Sequence, residues 1–220
     1  EDWEKVIETL KDVESDRSEV PRQLGLAKSR LGRGGRTELR EATETDPADG
    51  AAWYLLGDTY CEDSGICSSY DGRSRDQKCR DAANAYLRSF EAAPSDPDAL
   101  KRYLRCKICS TGEHSFLPLV RPEIERAIEK CQRLASAGVH VPAALYDMGL
   151  FNLLLGRTYE SIGSYTKAVH LSDSTDPIDD ALGELRSLRQ GVEKAQDSPD
   201  WAADLPSMAR FLELALVGKP

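Results

Sequence analysis

Apolar residues recur every three to four positions along almost the whole chain, and charged residues occupy the positions between them. This spacing places the apolar side chains on one face of a helix. Neither the alternation nor the β-branched runs that indicate strands occur. The pattern therefore predicts an all-α chain of roughly ten to eleven helices. The predicted helices lie within residues 2–13, 18–31, 33–47, 51–60, 79–92, 98–109, 123–137, 142–155, 157–171, 178–192 and 205–217.

Several of these helices form pairs that repeat one arrangement of residues. The pair at 51–92 carries Trp53, Leu56-Gly57 and Tyr60 on its first helix and Ala82, Tyr86 and Pro94 on or after its second. The pair at 142–171 carries Leu145, Met148-Gly149, Asn152, Tyr165 and Ala168, and an earlier copy carries Leu24-Gly25, Leu39, Ala42 and Pro47. A glycine or alanine allows two helices to approach closely, while large side chains fill the space between them.

This arrangement resembles the tetratricopeptide repeat family, whose pattern is W-x2-L-G-x2-Y, then A-x3-F, then P over about 34 residues. Trp53, Leu56, Gly57 and Tyr60 match its first half residue for residue, and residues 155–172 are similar to its second half. The resemblance covers most of residues 16–176. It implies a right-handed superhelix of antiparallel helix pairs, an α-solenoid. The copy at 98–137 departs from the pattern, because it lacks the glycine and places Cys131 at an aromatic position.

The extent of the resemblance divides the chain into three segments. Residues 16–176 are the predicted repeat array, and residues 177–220 are predicted capping helices. Residues 1–15 are interpreted as the second helix of a repeat whose first helix is absent. The chain begins EDWEKVIETL, without an initiator Met or a signal-peptide pattern. We therefore expect a processed product or a segment of a longer protein.

The tetratricopeptide resemblance also implies a binding groove, because the first helices of successive repeats in this family line a concave surface that holds a partner's peptide or helix. By register, the implied groove residues are Arg22, Arg30, Tyr54, Asp58, Lys101, Arg105, Tyr146 and Leu150. Four of these are cations, and arginine binds a carboxylate through two parallel hydrogen bonds. An acidic peptide is the expected partner. The alternatives are that these are ordinary solvated residues and that Leu150 belongs to the core.

The cysteines form two groups. Cys61, Cys67 and Cys79 lie in an insertion at 61–79, which lengthens the second copy by about thirteen residues relative to the family spacing. Cys106 and Cys109 form a C-x-x-C pair, a spacing found in metal and redox sites and also in ordinary helices. Three interpretations stay open: a disulfide within the insertion, a zinc site with four ligands, or partly buried thiols without a special role.

The net charge and the absence of known motifs limit the classes of function that the sequence favours. The net charge of −9 disfavours non-specific binding to nucleic acid or anionic lipid. No run approaches the roughly 18 apolar residues of a membrane span. None of the three histidines lies in a catalytic or metalloprotease motif, so no catalytic residue is expected. No cofactor is expected, with zinc at the cysteines as the alternative. The compartment stays open, with the cytoplasm favoured.

The sequence thus favours a non-enzymatic scaffold that binds a protein segment in its groove. One alternative is a regulatory or substrate-recruiting module of a larger multidomain enzyme, in which case the other domains of that protein are partners. A second alternative is a metal or redox sensor that acts through its cysteines.

Overall fold

The computed structural model describes residues 2–13, 15–61, 74–94 and 96–219, and every regular element in these residues is a helix. The all-α prediction is therefore confirmed for the described part of the chain. The elements are α1 (Trp3–Leu10), α2 (Glu19–Arg30), α3 (Arg36–Thr45), α4 (Gly50–Tyr60), α5 (Arg75–Ala92), α6 (Pro97–Thr111), α7 (Arg121–Ser136), α8 (Ala143–Leu154), α9 (Thr158–Leu171), α10 (Asp176–Val192), a 3-10 helix (Asp200–Asp204) and α11 (Leu205–Gly218).

Side chains at the helix starts explain several of these boundaries. Asp49 accepts a 2.9 Å hydrogen bond from the Ala52 amide at the start of α4, which satisfies an amide that has no partner within the helix. Ser74 accepts one of 3.2 Å from the Gln77 amide, so α5 begins ahead of the predicted Cys79. Trp201 lies in a short 3-10 helix that the sequence analysis does not predict.

The chain divides into two compact units, residues 1–94 and 95–220. In unit 1, α2 packs against α3 and α4 packs against α5, with further contacts from α1 to α2 and from α3 to α4. Gly50 lies beside Ala92, and Gly57 lies beside Tyr86, so α4 and α5 run antiparallel. The buried core of this unit includes Leu39, Leu56 and Tyr86.

The same close approach occurs in three helix pairs. A β-carbon at Gly57 would lie 2.7 Å from a ring carbon of Tyr86, and one at Gly149 would lie 2.9 Å from the ring of Tyr165. In α2, a β-carbon at Gly25 would lie 2.7 Å from the Leu39 side chain. Because each glycine lacks a β-carbon, a large side chain of the second helix packs directly against the backbone of the first helix. The repeated sequence arrangement therefore corresponds to a repeated packing arrangement.

Unit 2 departs from this simple pairing at α6, the first helix of the divergent copy. α8 packs against α9 and α7, whereas α6 packs more extensively against α10 than against α7. α11 packs mainly against α10 and also touches α9. The core of the unit includes Leu104, Phe151, Leu182 and Leu188, all of which are buried.

Candidate partner-binding site

The predicted groove residues lie on α2 and α4 in unit 1 and on α6 and α8 in unit 2; we call the helix face that carries them the groove face of each unit. In unit 1, Arg22 is held at the junction of α2 and α4. Its Nη1 atom lies 3.3 Å from Asp49 Oδ1, and Ser18 donates a 2.8 Å hydrogen bond to Asp49 Oδ2. Because Asp49 also caps α4, this arginine is tied into the helix packing.

Arg30 is the most accessible cation of the predicted groove. It lies in the last turn of α2, it is exposed, and it makes no ion pair with any residue in the described part of the chain. Tyr54 is half-buried and packs edge-to-face on Tyr86, with ring centroids 5.6 Å apart. Leu26, one helical turn before Arg30, is also half-buried. Leu26, Arg30 and Tyr54 are accessible residues of the groove face of unit 1 that are not tied to Asp49.

Asp58 lies inside the α4–α5 pair. The side chain is only 5% exposed, and the hydroxyl of Tyr86 donates a 2.6 Å hydrogen bond to its Oδ1 atom. A buried carboxylate requires such donors, because it loses its hydration when the helices pack. Asp58 therefore belongs to the interior of the repeat, and a ligand at the surface would not reach its bonded oxygen.

Lys101 is the centre of a buried ion cluster in unit 2. Its Nζ atom lies 2.8 Å from Asp147 on α8, 3.1 Å from Glu184 on α10 and 3.3 Å from Asp98 on its own helix. Burial alone would lower the pKa of Lys101, but the three carboxylates outweigh burial and hold the pKa well above its ordinary value. The charge of this lysine is thus neutralised within the protein.

The crowding of carboxylates affects the protonation of Asp147. Burial and the neighbouring carboxylates Glu184 and Asp98 raise its pKa from 3.8 to about 6, although Lys101 acts in the opposite direction. Three carboxylates share one ammonium group, so the cluster carries an excess of negative charge when all of them are ionised. Removing one partner from such a buried cluster is strongly destabilising, because it leaves a buried charge without its counter-charge.

The other groove residues of unit 2 are also covered. Arg105 is 6% exposed, Tyr146 is 5% exposed and Leu150 is fully buried. The elements that cover this groove face come from the same chain: α10 packs along α6, and the 3-10 helix with Trp201 contacts α8. Arg105, Tyr146 and Leu150 therefore do not present an open surface, and Lys101 borders only the cavity that Asp98, Cys131 and Asp147 also line.

Two glycines fix the position of α10 on α6. A β-carbon at Gly191 would lie 2.5 Å from the Ile108 carbonyl oxygen, and one at Gly112 would lie 2.8 Å from the Ala195 amide nitrogen. Lys194 donates a 2.9 Å hydrogen bond to the Cys109 carbonyl at the end of α6. This contact was not predicted from the sequence. Gly191, near the end of α10, could have indicated that another helix approaches closely there.

The described cysteines are buried or half-buried. No disulfide joins any two of Cys61, Cys79, Cys106, Cys109 and Cys131, and Cys67 lies outside the described residues. Burial, followed by the charge of Asp147, raises the pKa of Cys131 to about 12, which keeps this thiol protonated at neutral pH. Among the described residues, no group of three His, Cys, Asp or Glu side chains could hold a metal ion.

The chain matches no model of a known protein family, and no curated protein matches it. Across the described residues, none of the helices combines the length and the apolar character that a membrane crossing requires.

Proposed function

We propose that the chain is a tetratricopeptide-like scaffold that binds a segment of a partner protein on the groove face of unit 1. The observation that carries this proposal is the repeated packing of a glycine against a large side chain at Gly25 and Leu39, at Gly57 and Tyr86, and at Gly149 and Tyr165. In repeat proteins, stacked units create an extended concave surface that binds partners, and the tetratricopeptide resemblance implies that the first helix of each pair lines this surface. The superhelix implied by the resemblance is part of this proposal.

Accessibility favours unit 1 over unit 2 as the binding surface. Arg30 and Tyr54 are of the two residue types, arginine and tyrosine, that are enriched at the centres of protein interfaces, and Leu26 adds an apolar side chain to the same face. The equivalent face of unit 2 is already covered by α10 and the 3-10 helix. Of the four predicted groove cations, Arg30 is the exposed one, so the preference for an acidic partner depends mainly on this residue.

Charge reversal at Arg30 tests this function in the full chain. Arg133 provides a matched control, because it is also an exposed arginine in the last turn of a helix and also makes no ion pair with a described residue. We expect Arg30→Glu to reduce capture of partner proteins from cell extract by roughly tenfold, while Arg133→Glu leaves the captured set unchanged. Equal capture by both variants and by the unmodified chain would refute Arg30 as a contact.

A further inference from the structure

Unit 2 contains a cavity that is bounded by three of its helices. The cavity has a volume of about 490 Å³ and lies between the start of α6, the second half of α7 and the start of α8. Small-molecule sites in proteins measure roughly 300–1,000 Å³ and combine apolar walls with a few polar groups. Leu134 and Ala144 are among the apolar lining residues here, and Asp98, Lys101 and Asp147 are among the charged ones. The cavity therefore has the size and the lining of a small-molecule site.

Asp147 presents an unused oxygen atom at this cavity. Its Oδ1 atom accepts a 2.8 Å hydrogen bond from Lys101 Nζ, and its Oδ2 atom accepts none from any residue in the described part of the chain. The side chain is 14% exposed and lines the cavity. A carboxylate that is largely buried has lost most of its hydration, so it favours a donor that replaces the lost water. Asp147 Oδ2 is therefore an acceptor for a ligand that enters the cavity.

A second polar atom beside the ion cluster is also unpaired. The Tyr165 hydroxyl is buried and has no hydrogen-bond partner among the described residues. Burial, followed by the charge of Glu184, raises the pKa of this hydroxyl, and Lys101 and Asp147 also act on it. Buried polar atoms without a partner are rare in folded proteins and often mark the place of a water molecule or an ion. The cluster thus has hydrogen-bonding capacity that its own side chains leave unused.

The charges around the cavity favour a cation as the occupant. Three carboxylates and two cationic side chains form the cluster, namely Asp98, Asp147, Glu184, Lys101 and Arg102. The cluster therefore carries an excess of one negative charge when all of its groups are ionised. The other two ionised lining residues, Asp96 and Lys130, are one acid and one base, so they leave this balance unchanged. One monovalent cation restores neutrality, whereas an anion increases the imbalance.

The lining also indicates which kind of cation fits. Among the residues that the structure describes, no group of His, Cys, Asp and Glu side chains is arranged to hold a metal ion. Pro97, Leu134 and Ala144 provide apolar surface next to the carboxylates, and such surface gains free energy when an alkyl chain covers it. An ammonium group on an alkyl chain combines the required charge with a part that packs on this surface.

We propose that this cavity binds an aliphatic ammonium group, which donates a hydrogen bond to Asp147 Oδ2 while its alkyl chain packs against Pro97, Leu134 and Ala144. A hydrogen bond between an ammonium group and a carboxylate is stronger than one between neutral groups. The ammonium group belongs either to a free amine or to a lysine side chain of a partner protein. The site lies wholly within unit 2 and does not rest on the proposed function of unit 1.

Titration of the unmodified full chain with pentylamine tests the ligand chemistry, and the neutral pentanol is the matched control ligand. NMR chemical shifts of the backbone amides report both the position and the affinity of binding. We expect pentylamine to shift the amides of Asp98, Cys131 and Asp147 and to bind roughly tenfold more tightly than pentanol. Equal affinity for the two compounds, or shifts that lie outside α6, α7 and α8, overturns the proposal.

Two variants of the cavity test the assigned contacts. Asp147→Asn removes the charge that the ammonium group pairs with, and Asp173→Asn is the matched control at an exposed aspartate outside the cavity. We expect Asp147→Asn to weaken the binding of pentylamine by roughly tenfold and Asp173→Asn to leave it unchanged. Ala143→Leu narrows the cavity and keeps every carboxylate, so we expect it also to weaken binding. Unchanged binding by either cavity variant overturns the assignment, and Ala143→Leu decides the point if Asp147→Asn does not fold.

The source of the ammonium group is tested with Nα-acetyl-lysine amide, which presents a lysine side chain without a free α-amino group. Binding tighter than that of pentylamine identifies a lysine side chain of a partner, and weaker binding identifies a free amine; both results uphold the ammonium site. Binding of neither compound to the unmodified chain overturns it. None of these measurements involves Arg30, so they distinguish failure of this proposal from failure of the proposed function.

Discussion

The hydroxyl of Tyr86 donates a 2.6 Å hydrogen bond to the buried carboxylate of Asp58. In the pair formed by α8 and α9, Tyr165 occupies the place of Tyr86 against the backbone of the first helix, and Leu150 follows its glycine as Asp58 follows Gly57. The hydroxyl of Tyr165 is buried and has no hydrogen-bond partner among the described residues. Two equivalent tyrosines therefore differ in whether their polar atom is satisfied.

This difference predicts opposite effects of the same substitution. Tyr86→Phe removes a donor from a buried carboxylate, so we expect the free energy of unfolding to fall by about 1–3 kcal/mol. Tyr165→Phe removes a polar atom that makes no bond, so we expect little change or a small gain. Urea denaturation of both variants measures the difference. A larger loss for Tyr165→Phe than for Tyr86→Phe would contradict the structure.

The close approach at Gly57 predicts a second contrast. A methyl group at Gly57 would overlap the ring of Tyr86, so we expect Gly57→Ala to lower the free energy of unfolding by about 1–3 kcal/mol. Gly163 is exposed on α9 and has no neighbour within 4 Å of a β-carbon. We expect Gly163→Ala to raise stability by about 0.5–1 kcal/mol through its better helix propensity. Thermal denaturation of the two variants provides the comparison.

The burial of Lys101 makes it a structural residue rather than an open ligand contact. Lys101→Met leaves Asp98, Asp147 and Glu184 without their shared cation, so we expect unit 2 to lose about 3–5 kcal/mol of stability. Lys167→Met changes an exposed lysine on α9 and should be nearly neutral. Charge reversal at Lys101 is therefore a test of folding and not of partner capture. Retention of full stability by Lys101→Met would show that the cluster does not form in solution.

The raised pKa of Asp147 predicts the direction of a pH effect. Its folded-state pKa is about 6, above the ordinary value of 3.8, so between these values the folded chain binds more protons than the unfolded chain. The contribution of Asp147 to stability therefore falls as the pH rises from about 4 to about 6. Lys101, Glu184 and Asp98 face this group and set its environment.

Asp147→Asn isolates this effect. The variant keeps the shape of the side chain and leaves Lys101 paired with Glu184 and Asp98, so we expect its stability to vary less between pH 4 and pH 6. At pH 7, we expect it to be at least as stable as the unmodified chain, because no buried charge is forced into the cluster. Chemical denaturation at several pH values measures both quantities. An unchanged pH dependence in the variant would contradict the pKa assignment.

The sequence predicts most of the secondary structure because each helix has an apolar face and most have a clear terminator. The glycines at positions 25, 57 and 149 are visible as a repeat, and the structure places all three at close helix crossings. The position of α10 on α6 is not predictable in the same way, because Gly112 and Gly191 are far apart in sequence and belong to no repeat. The burial of Lys101 follows from this long-range contact, so register alone could not show that the lysine is neutralised.

The central claim is that a partner protein binds to the groove face of unit 1. Site-specific photo-crosslinking tests this claim most directly. A photoreactive phenylalanine analogue, placed at Arg30 or at Tyr54 in separate variants, probes the groove face, and the same residue at Tyr159, which is 88% exposed on α9, probes a control surface. We expect partner crosslinks at position 54 and at position 30, with few at position 159. Crosslinks concentrated at position 159, with none at positions 30 and 54, would contradict it.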